Sequence, residues 1–184
     1  LNETGLAQAG KLADRLASWP VDVVYTSPLT RASQTAAILA ERHRKVPIVL
    51  EDLVEINFGS WEGMHLKHLL EKERDSFRAW VKDPFFQPPK GAETWNDIRT
   101  RIESAVQSIL KDGHEHIVVV SHGGIMRALF VVLLQLDPHT VWNIKTSNCA
   151  LCGIEVREHG NSMVFSNDDL HLRDIAEGVS LPVW

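Results

Sequence analysis

Val118-Val-Val-Ser-His-Gly-Gly124 is the most informative segment of the sequence, because an apolar run ends there in a histidine and two glycines. The run from His116 to Ser121 is nearly all apolar, which predicts a strand buried on both faces of a parallel sheet. The spacing of apolar residues after Gly124 predicts that a helix begins at once. In open α/β sheets, ligands bind at the edge formed by the carboxyl ends of the strands. Free N–H groups at a helix N-terminus there favour an anion. We therefore predict that His122 lies in an anion-binding site.

Strand and helix patterns alternate along the rest of the chain. Asn2 and Thr94 are predicted to cap helices, since each precedes apolar residues at spacings of three and four. Short apolar runs predict further strands at 21–26, 46–50, 150–156 and 163–167, of which the last two form a hairpin. This order predicts an α/β fold, a three-layer α/β/α sandwich around a mostly parallel sheet.

Length and composition predict one globular domain. The 184 residues are 44% hydrophobic and 23% charged, which is enough for one substantial core and within the ordinary globular range. We predict a single domain over 1–184. Within it, residues 56–92 carry glycines, prolines and one helical patch in a looser pattern, and we interpret them as a lid-like insertion.

Charge and hydropathy argue against nucleic-acid and membrane partners. The net charge of −5 comes without the clustered Lys and Arg that a phosphate backbone requires. No apolar run approaches the roughly 20 residues that span a bilayer, and the first residues lack a signal-peptide pattern. We expect a cytoplasmic protein, and the sequence leaves a homodimer open.

A second strand end, Thr26-Ser-Pro-Leu-Thr-Arg31, leads through a proline turn into a helix. Arg31 would lie in the first turn of that helix, where its planar guanidinium can bind two phosphate oxygens beside the helix N-terminus. The other interpretation is a surface arginine on a solvated helix face. A cation at a helix N-terminus is unfavourable unless an anion is present, so the local sequence leaves both interpretations open.

A third segment, Leu53-Val-Glu-Ile-Asn-Phe-Gly-Ser-Trp-Glu-Gly63, places two carboxylates among glycines and aromatic residues. A carboxyl group in an apolar pocket has a raised pKa and can donate a proton to a leaving group. The alternative is that Glu55 and Glu62 are exposed loop acids. This segment cannot choose between the two by itself.

Two histidine pairs have spacings found among metal ligands. His65 and His68 form one pair, and His114 and His116 form the other. Neither pair has a third ligand placed beside it, so we assign the first to a helix surface and the second to a solvated loop. We expect no metal and no cofactor.

Taken together, the motifs resemble the histidine phosphatase (phosphoglycerate mutase-like) superfamily. The matching patterns are S-P-L-x-R-A-x-Q-T-A at 27–36, L-x-E-x-x-x-G-x-W-E-G at 53–63 and V-S-H-G-G at 120–124. The resemblance implies a phosphomonoester hydrolase that works without a metal through a phosphohistidine intermediate. It implies that Arg31, His122 and Gly123 bind the phosphoryl group, and that Glu55 protonates the leaving alkoxide and then activates water. Glu62 would be structural.

The chain departs from the family pattern at its beginning. In relatives, an R-H-G strand that carries the nucleophilic histidine precedes the stretch matched by Leu1-Asn-Glu-Thr-Gly5, and no R-H-G occurs in these 184 residues. That strand lies in the middle of the family's sheet, so we expect a domain that lacks its first strand. We hypothesise that the natural chain begins upstream; a truncated, inactive protein is the alternative. The 184 residues alone should be inactive.

Within the family, the short distance in sequence between Glu55 and His122 favours a phosphatase over a phosphoglycerate mutase, which needs a long segment over its site. A non-catalytic member that binds phosphorylated ligands is a further alternative. Aromatic residues of the insertion, Trp61, Trp80, Phe85 and Phe86, could line an apolar wall for an organic phosphomonoester or could be packing residues. The predicted partner is a small phosphorylated substrate whose identity the sequence does not specify.

Overall fold

Residues 1–175 are described by a computed structural model, so residues 176–184 of the predicted domain lie outside the described residues. The α-helices of the described part are α1 (Glu3–Leu16), α2 (Thr30–Arg42), α3 (Leu66–Lys72), α4 (Arg74–Lys82), α5 (Trp95–Leu110) and α6 (Gly123–Leu134). Its strands are β1 (Val23–Thr26), β2 (Ile48–Val49), β3 (Ile117–Val120), β4 (Leu151–Glu155) and β5 (Ser162–Asp168). None of these helices is long and apolar enough to cross a membrane.

Two helix starts form as the sequence predicts. Asn2 caps α1, since its side-chain oxygen accepts a hydrogen bond from the backbone N–H of Gly5 at 2.8 Å. Thr94 caps α5 in a capping box, in which Thr94 and Asp97 each accept a hydrogen bond from the other's backbone N–H. These caps satisfy N–H groups that the first helical turn leaves without partners.

The parallel sheet has the order β2-β1-β3. Thr26 at the end of β1 pairs with Val120 at the end of β3, so the carboxyl ends of these strands are adjacent. The predicted strand at 46–50 shortens to Ile48–Val49, at the edge of this sheet. Pro47 explains the shortening, because a proline has no N–H to donate to a neighbouring strand.

Helices cover both faces of the parallel sheet, which confirms the predicted three layers. One face packs against α1 and α2 through Val24, Val118 and Val120. The other face packs against α5 and α6 through Val23, Tyr25, Ile117 and Val119. The residues alternate because successive side chains of a strand point to opposite faces.

The apolar strand β3 is less buried than the sequence predicts. Each residue of β3 is only partly buried, and within residues 1–175 β3 pairs with β1 alone. Strands β4 and β5 form the predicted hairpin, but as a separate two-stranded antiparallel sheet. An edge strand is covered along one side only, which explains the partial exposure. That an R-H-G strand completes this domain stays a prediction.

Residues 56–92 contain α3 and α4 in place of the single helical patch expected there. Trp61 and Trp80 are buried and pack edge to face, with ring centroids 5.9 Å apart. Phe85 is also buried, whereas Phe86 is exposed and stacks on His139. The first three aromatic residues are therefore packing residues, and the alternative of a substrate-facing wall is wrong for them.

Candidate active site

His122 lies at the carboxyl end of β3, where the sheet places it next to the end of β1. Its Nε2 atom is 2.7 Å from Oγ of Ser27, the residue that follows β1. Both residues are buried, and the Ser27 N–H donates to the carbonyl oxygen of Val120 at 3.0 Å. Because the two strands run parallel, both chain segments turn away from the sheet at the same edge.

Ser27 is not among the site residues that the sequence predicts, although it lies in the same motif as Arg31. Its Oγ also accepts a hydrogen bond from the backbone N–H of Leu29 at 3.2 Å, which fixes the hydroxyl. The serine thereby orients the imidazole of His122 through Nε2. Among the hydrogen bonds of the described residues, none uses Nδ1 of His122, so that nitrogen is available to a ligand. The sequence feature that could have identified Ser27 as a site residue is its position directly after a predicted strand.

The pKa of His122 is lowered from its ordinary value of 6.5 to about 4. Burial is the main cause, because it penalises the charged imidazolium, and the positive charges of Arg31 and Arg101 add to it. The imidazole is consequently neutral at pH 7. A bound phosphoryl dianion would favour the charged form, so anion binding and protonation of His122 are coupled.

We predict that this coupling is visible by nuclear magnetic resonance in the 184-residue chain. The His122 ring signals, assigned by their loss in His122→Ala, should titrate near pH 4 and move to a higher midpoint when inorganic phosphate is added. Between about pH 6.5 and 4 the unfolded chain binds a proton here that the folded chain does not, so stability falls as the pH falls through that window. A midpoint that phosphate leaves unchanged would contradict the prediction.

Arg31 is the second residue of α2, and its side chain is exposed. Its charge lowers the pKa of both His122 and Glu55, so the structure brings the three predicted residues into one electrostatic environment. Gly123 is the first residue of α6, and His122 precedes it as an extended N-cap residue without a side-chain cap. The arrangement places a guanidinium and a helix N-terminus beside the same imidazole.

Glu55 is half-buried in the loop after the 3-10 turn at Glu51–Leu53. Burial raises the pKa of this carboxyl, while the N–H groups of Ile56, Gly124 and Ile125 and the charge of Arg31 oppose the rise. The Ile56 N–H donates to Oε1 at 3.0 Å. The net effect is a raised pKa of Glu55, which is what a general acid requires. Glu62 instead accepts a hydrogen bond from the backbone N–H of Phe58, which is a structural contact.

Gly124 permits the close approach of Glu55 to α6. A Cβ atom at this position would lie 2.5 Å from Cδ1 of Ile56 and 2.8 Å from Oε1 of Glu55. Real Cβ atoms do not approach other atoms so closely, so a side chain here would displace the side chains of Ile56 and Glu55. The glycine is therefore part of what places Glu55 against the helix.

We predict that Gly124→Ala lowers the free energy of unfolding of the 184-residue chain by about 1–3 kcal/mol, because the added methyl group overpacks this contact. The matched control is Gly10→Ala in α1, where a Cβ would meet nothing within 4 Å. In that helix the control should stabilise the chain by about 0.5–1 kcal/mol. Denaturant unfolding measures both, and equal stabilities for Gly124→Ala and the unsubstituted chain would contradict the packing argument.

Arg127, which the sequence analysis does not single out, is a buried cation close to the site. Its Nη1 donates to the carbonyl oxygen of Gly123 at 3.0 Å, and its guanidinium lies 4.6 Å from the ring centroid of Trp142. Burial lowers the pKa of Arg127, and the negative charge of Glu55 partly offsets that. An arginine on an otherwise apolar helix was the only signal in the sequence.

The site can therefore hold a phosphoryl group and move a proton beside it. A neutral imidazole and an exposed guanidinium are groups that can bind an anion, and a carboxyl group with a raised pKa can supply a proton. Within residues 1–175, no group of three or more His, Cys, Asp or Glu side chains is placed to hold a metal ion. The chemistry of these donors fits phosphoryl transfer, which depends mainly on positioning and electrostatics.

Comparisons with known proteins match nearly the whole described part of the chain. The family model of the histidine phosphatase superfamily (branch 1) matches residues 1–169. The chain is 33% identical over 174 residues to phosphoserine phosphatase 1 of Hydrogenobacter thermophilus, covering 94% of this chain and 82% of that protein. It is 36% identical over 140 residues to a metal-independent phosphoserine phosphatase of Arabidopsis thaliana, covering 73% of this chain and 58% of that protein.

A solved structure shares the fold. The chain superposes on Bacillus stearothermophilus YhfR with a TM-score of 0.84 and 27% sequence identity, covering 94% of this chain and 86% of that one. The similarity extends beyond the motif segments to the arrangement of helices and strands.

Proposed function

Because the chain belongs to the histidine phosphatase superfamily, we propose that it forms the phosphoryl-binding and acid–base part of a phosphatase for small phosphomonoesters, acting through a phosphohistidine. The observation that carries this proposal is the buried His122, held by Ser27 with a pKa near 4 beside Arg31 and Glu55. Phosphoserine phosphatases among the relatives support a small phosphorylated metabolite as the substrate.

In the proposed reaction, Arg31, His122 and the backbone N–H of Gly123 bind the oxygens of the phosphoryl group. Their positive charge and hydrogen bonds stabilise the negative charge on these oxygens in the transition state. The exposed guanidinium of Arg31 can reach a ligand from solvent. Nδ1 of His122 can donate in the neutral tautomer whose Nε2 accepts from Ser27, or in the protonated ring. No metal is required for this step.

Glu55 acts twice in the proposed cycle. It first gives its proton to the leaving alkoxide oxygen as the P–O bond breaks. A P–N bond to the nucleophilic histidine forms in the same step, so the phosphoryl group moves to that histidine. As a carboxylate, it then takes a proton from the water that attacks the phosphohistidine, which releases inorganic phosphate and restores the protonated acid. The raised pKa of Glu55 supports the first role.

The nucleophilic histidine of the family's R-H-G motif does not occur in these 184 residues. We propose that turnover requires such a strand, and that the 184 residues alone bind phosphate weakly and hydrolyse nothing. The lid-like role of 56–92, the cytoplasmic location and a homodimer also stay predictions.

The test compares the 184-residue chain with an R-H-G-extended chain, in which a segment carrying an R-H-G strand precedes Leu1. We expect hydrolysis of p-nitrophenyl phosphate only by the extended chain. A panel of phosphoserine, sugar phosphates, nucleotides, phosphoglycerates and cobalamin-precursor phosphates then identifies the substrate. Turnover by the 184 residues alone would contradict the requirement for the R-H-G strand, and phosphate binding without turnover by the extended chain would favour a non-catalytic member.

A further inference from the structure

One ion pair behind the site holds the backbone around Glu55. Nη1 of Arg101, on α5, donates to the carbonyl oxygens of Asp52 at 2.6 Å and Val54 at 2.9 Å. Nε and Nη2 of the same guanidinium donate to the two carboxylate oxygens of Glu93, at 2.7 and 2.9 Å. One planar guanidinium thereby joins α5, the residue before α5's cap, and the chain segment that leads into Glu55.

Glu93 holds the other end of the same segment. Its Oε2 accepts a hydrogen bond from the backbone N–H of Asn57 at 2.8 Å, and its own backbone N–H donates to the Asn57 carbonyl oxygen at 2.9 Å. Ser121, next to His122, adds a hydrogen bond from its Oγ to the carbonyl oxygen of Leu53 at 2.8 Å. The backbone is thus held on both sides of Glu55 by groups that leave its carboxyl free.

The pair differs from an ordinary surface ion pair in burial and in its partners. The side chains of Arg101 and Glu93 are 15% and 21% exposed, whereas Arg99 and Glu103 on α5 are 59% and 42% exposed. Exposed pairs contribute little to stability, and the Arg99–Glu103 pair joins two residues of one helix. The Arg101–Glu93 pair instead makes hydrogen bonds to the backbone on both sides of a proposed proton donor.

We propose that Arg101 and Glu93 are positioning residues that hold the Glu55 carboxyl where it can protonate a leaving group. This inference rests on the proposed function, because it assigns the pair a part in the acid–base step of the same site. In this role the pair acts through the backbone around Glu55 and is not itself placed on the substrate or the reacting atoms. Loss of the guanidinium should release the Asp52–Asn57 backbone, while Ser27 still holds His122 in place.

The kinetic test uses two substrates that differ in their need for an acid. A p-nitrophenolate leaves without protonation, whereas an alkoxide from phosphoserine requires it. In the R-H-G-extended chain, Arg101→Met should lower kcat/KM for the alkyl phosphate by about 10²-fold, the loss that a displacement of about 1 Å can cause. For p-nitrophenyl phosphate, kcat/KM should fall far less, because with this substrate only the loss of the Arg101 charge near His122 remains. Arg99→Met is the matched control and should leave kcat/KM unchanged for both substrates.

Equal losses of kcat/KM for the two substrates, or no loss, would overturn the positioning role. Glu93→Gln provides a second variant should Arg101→Met fold poorly. It removes the charge but keeps an acceptor for the Asn57 N–H, so it should show a smaller loss that is still selective for the alkyl phosphate.

A second readout does not depend on catalysis. In the 184-residue chain, Arg101→Met should speed amide hydrogen exchange at Asn57, whereas Arg99→Met should not. Unchanged exchange in Arg101→Met would overturn the inference even if the proposed function holds. If the extended chain hydrolyses neither substrate, the proposed function fails, and faster exchange would still show that the pair holds this backbone.

Discussion

His122→Ala in the R-H-G-extended chain is expected to lower kcat/KM by about 10³-fold, comparable to the loss of one preorganised donor in a site that stabilises developing charge. The effect should be equally large for p-nitrophenyl phosphate and for an alkyl phosphate, because His122 is proposed to bind the phosphoryl group that both substrates share. Steady-state kinetics with the two substrates measure it. The imidazole is buried and fixed by Ser27, so no neighbouring side chain can replace it easily.

The matched control is His159→Ala, which removes an exposed histidine from the turn between β4 and β5. This variant should leave kcat/KM unchanged for both substrates. Circular dichroism and denaturant unfolding establish that the His122 variant is folded at the assay temperature. Turnover of folded His122→Ala at the unsubstituted rate would contradict the assignment of His122 to the phosphoryl group.

Glu55→Gln is expected to have the second large effect, and this effect should depend on the leaving group. With an alkyl phosphate, kcat/KM should fall by about 10²–10⁴-fold, the usual contribution of a positioned general acid. With p-nitrophenyl phosphate, kcat/KM should change little, because the leaving phenolate needs no proton. Its kcat should nevertheless fall, because attack of water on the phosphohistidine still requires the carboxylate.

Glu62→Gln is the control for this prediction, since Glu62 lies in the same loop and its Oε1 accepts a hydrogen bond from the Phe58 N–H. A glutamine oxygen can accept the same bond, so both kinetic constants should stay unchanged. An equal fall in kcat/KM for both substrates in Glu55→Gln would argue for a binding role or a folding defect.

The fold and part of the site can be predicted from the sequence, because the carboxyl ends of parallel strands lie at the same edge of the sheet. His122 and Arg31 each follow a short apolar run and begin or enter a helix, so their convergence can be predicted from local patterns. The sequence leaves open whether Glu55 is a pocket acid with a raised pKa or an exposed loop acid, because its place against Gly124 depends on how a loop folds over α6. Their catalytic roles rest on the family resemblance and on the experiments proposed above.

The supporting residues could not be predicted, because their partners are distant in sequence. Arg101 and the carbonyl of Asp52 are 49 positions apart, and an arginine on an amphipathic helix ordinarily belongs to its solvated face. Ser27 and His122 are 95 positions apart and meet only through the pairing of β1 with β3. The partial exposure of β3 also depends on its neighbours in the sheet, which its own apolar pattern does not reveal.

The phosphohistidine intermediate gives the most direct test. The R-H-G-extended chain with Glu55→Gln is mixed with phosphate-labelled p-nitrophenyl phosphate and quenched in base, where phosphohistidine is stable. Formation of the phosphoenzyme needs no acid with this substrate, while its hydrolysis needs the carboxylate. Labelled protein should therefore accumulate and lose its label in acid. In the double variant that also carries His122→Ala, the label should form about 10³-fold more slowly. Absence of label in Glu55→Gln, or a label that survives acid, would contradict the account.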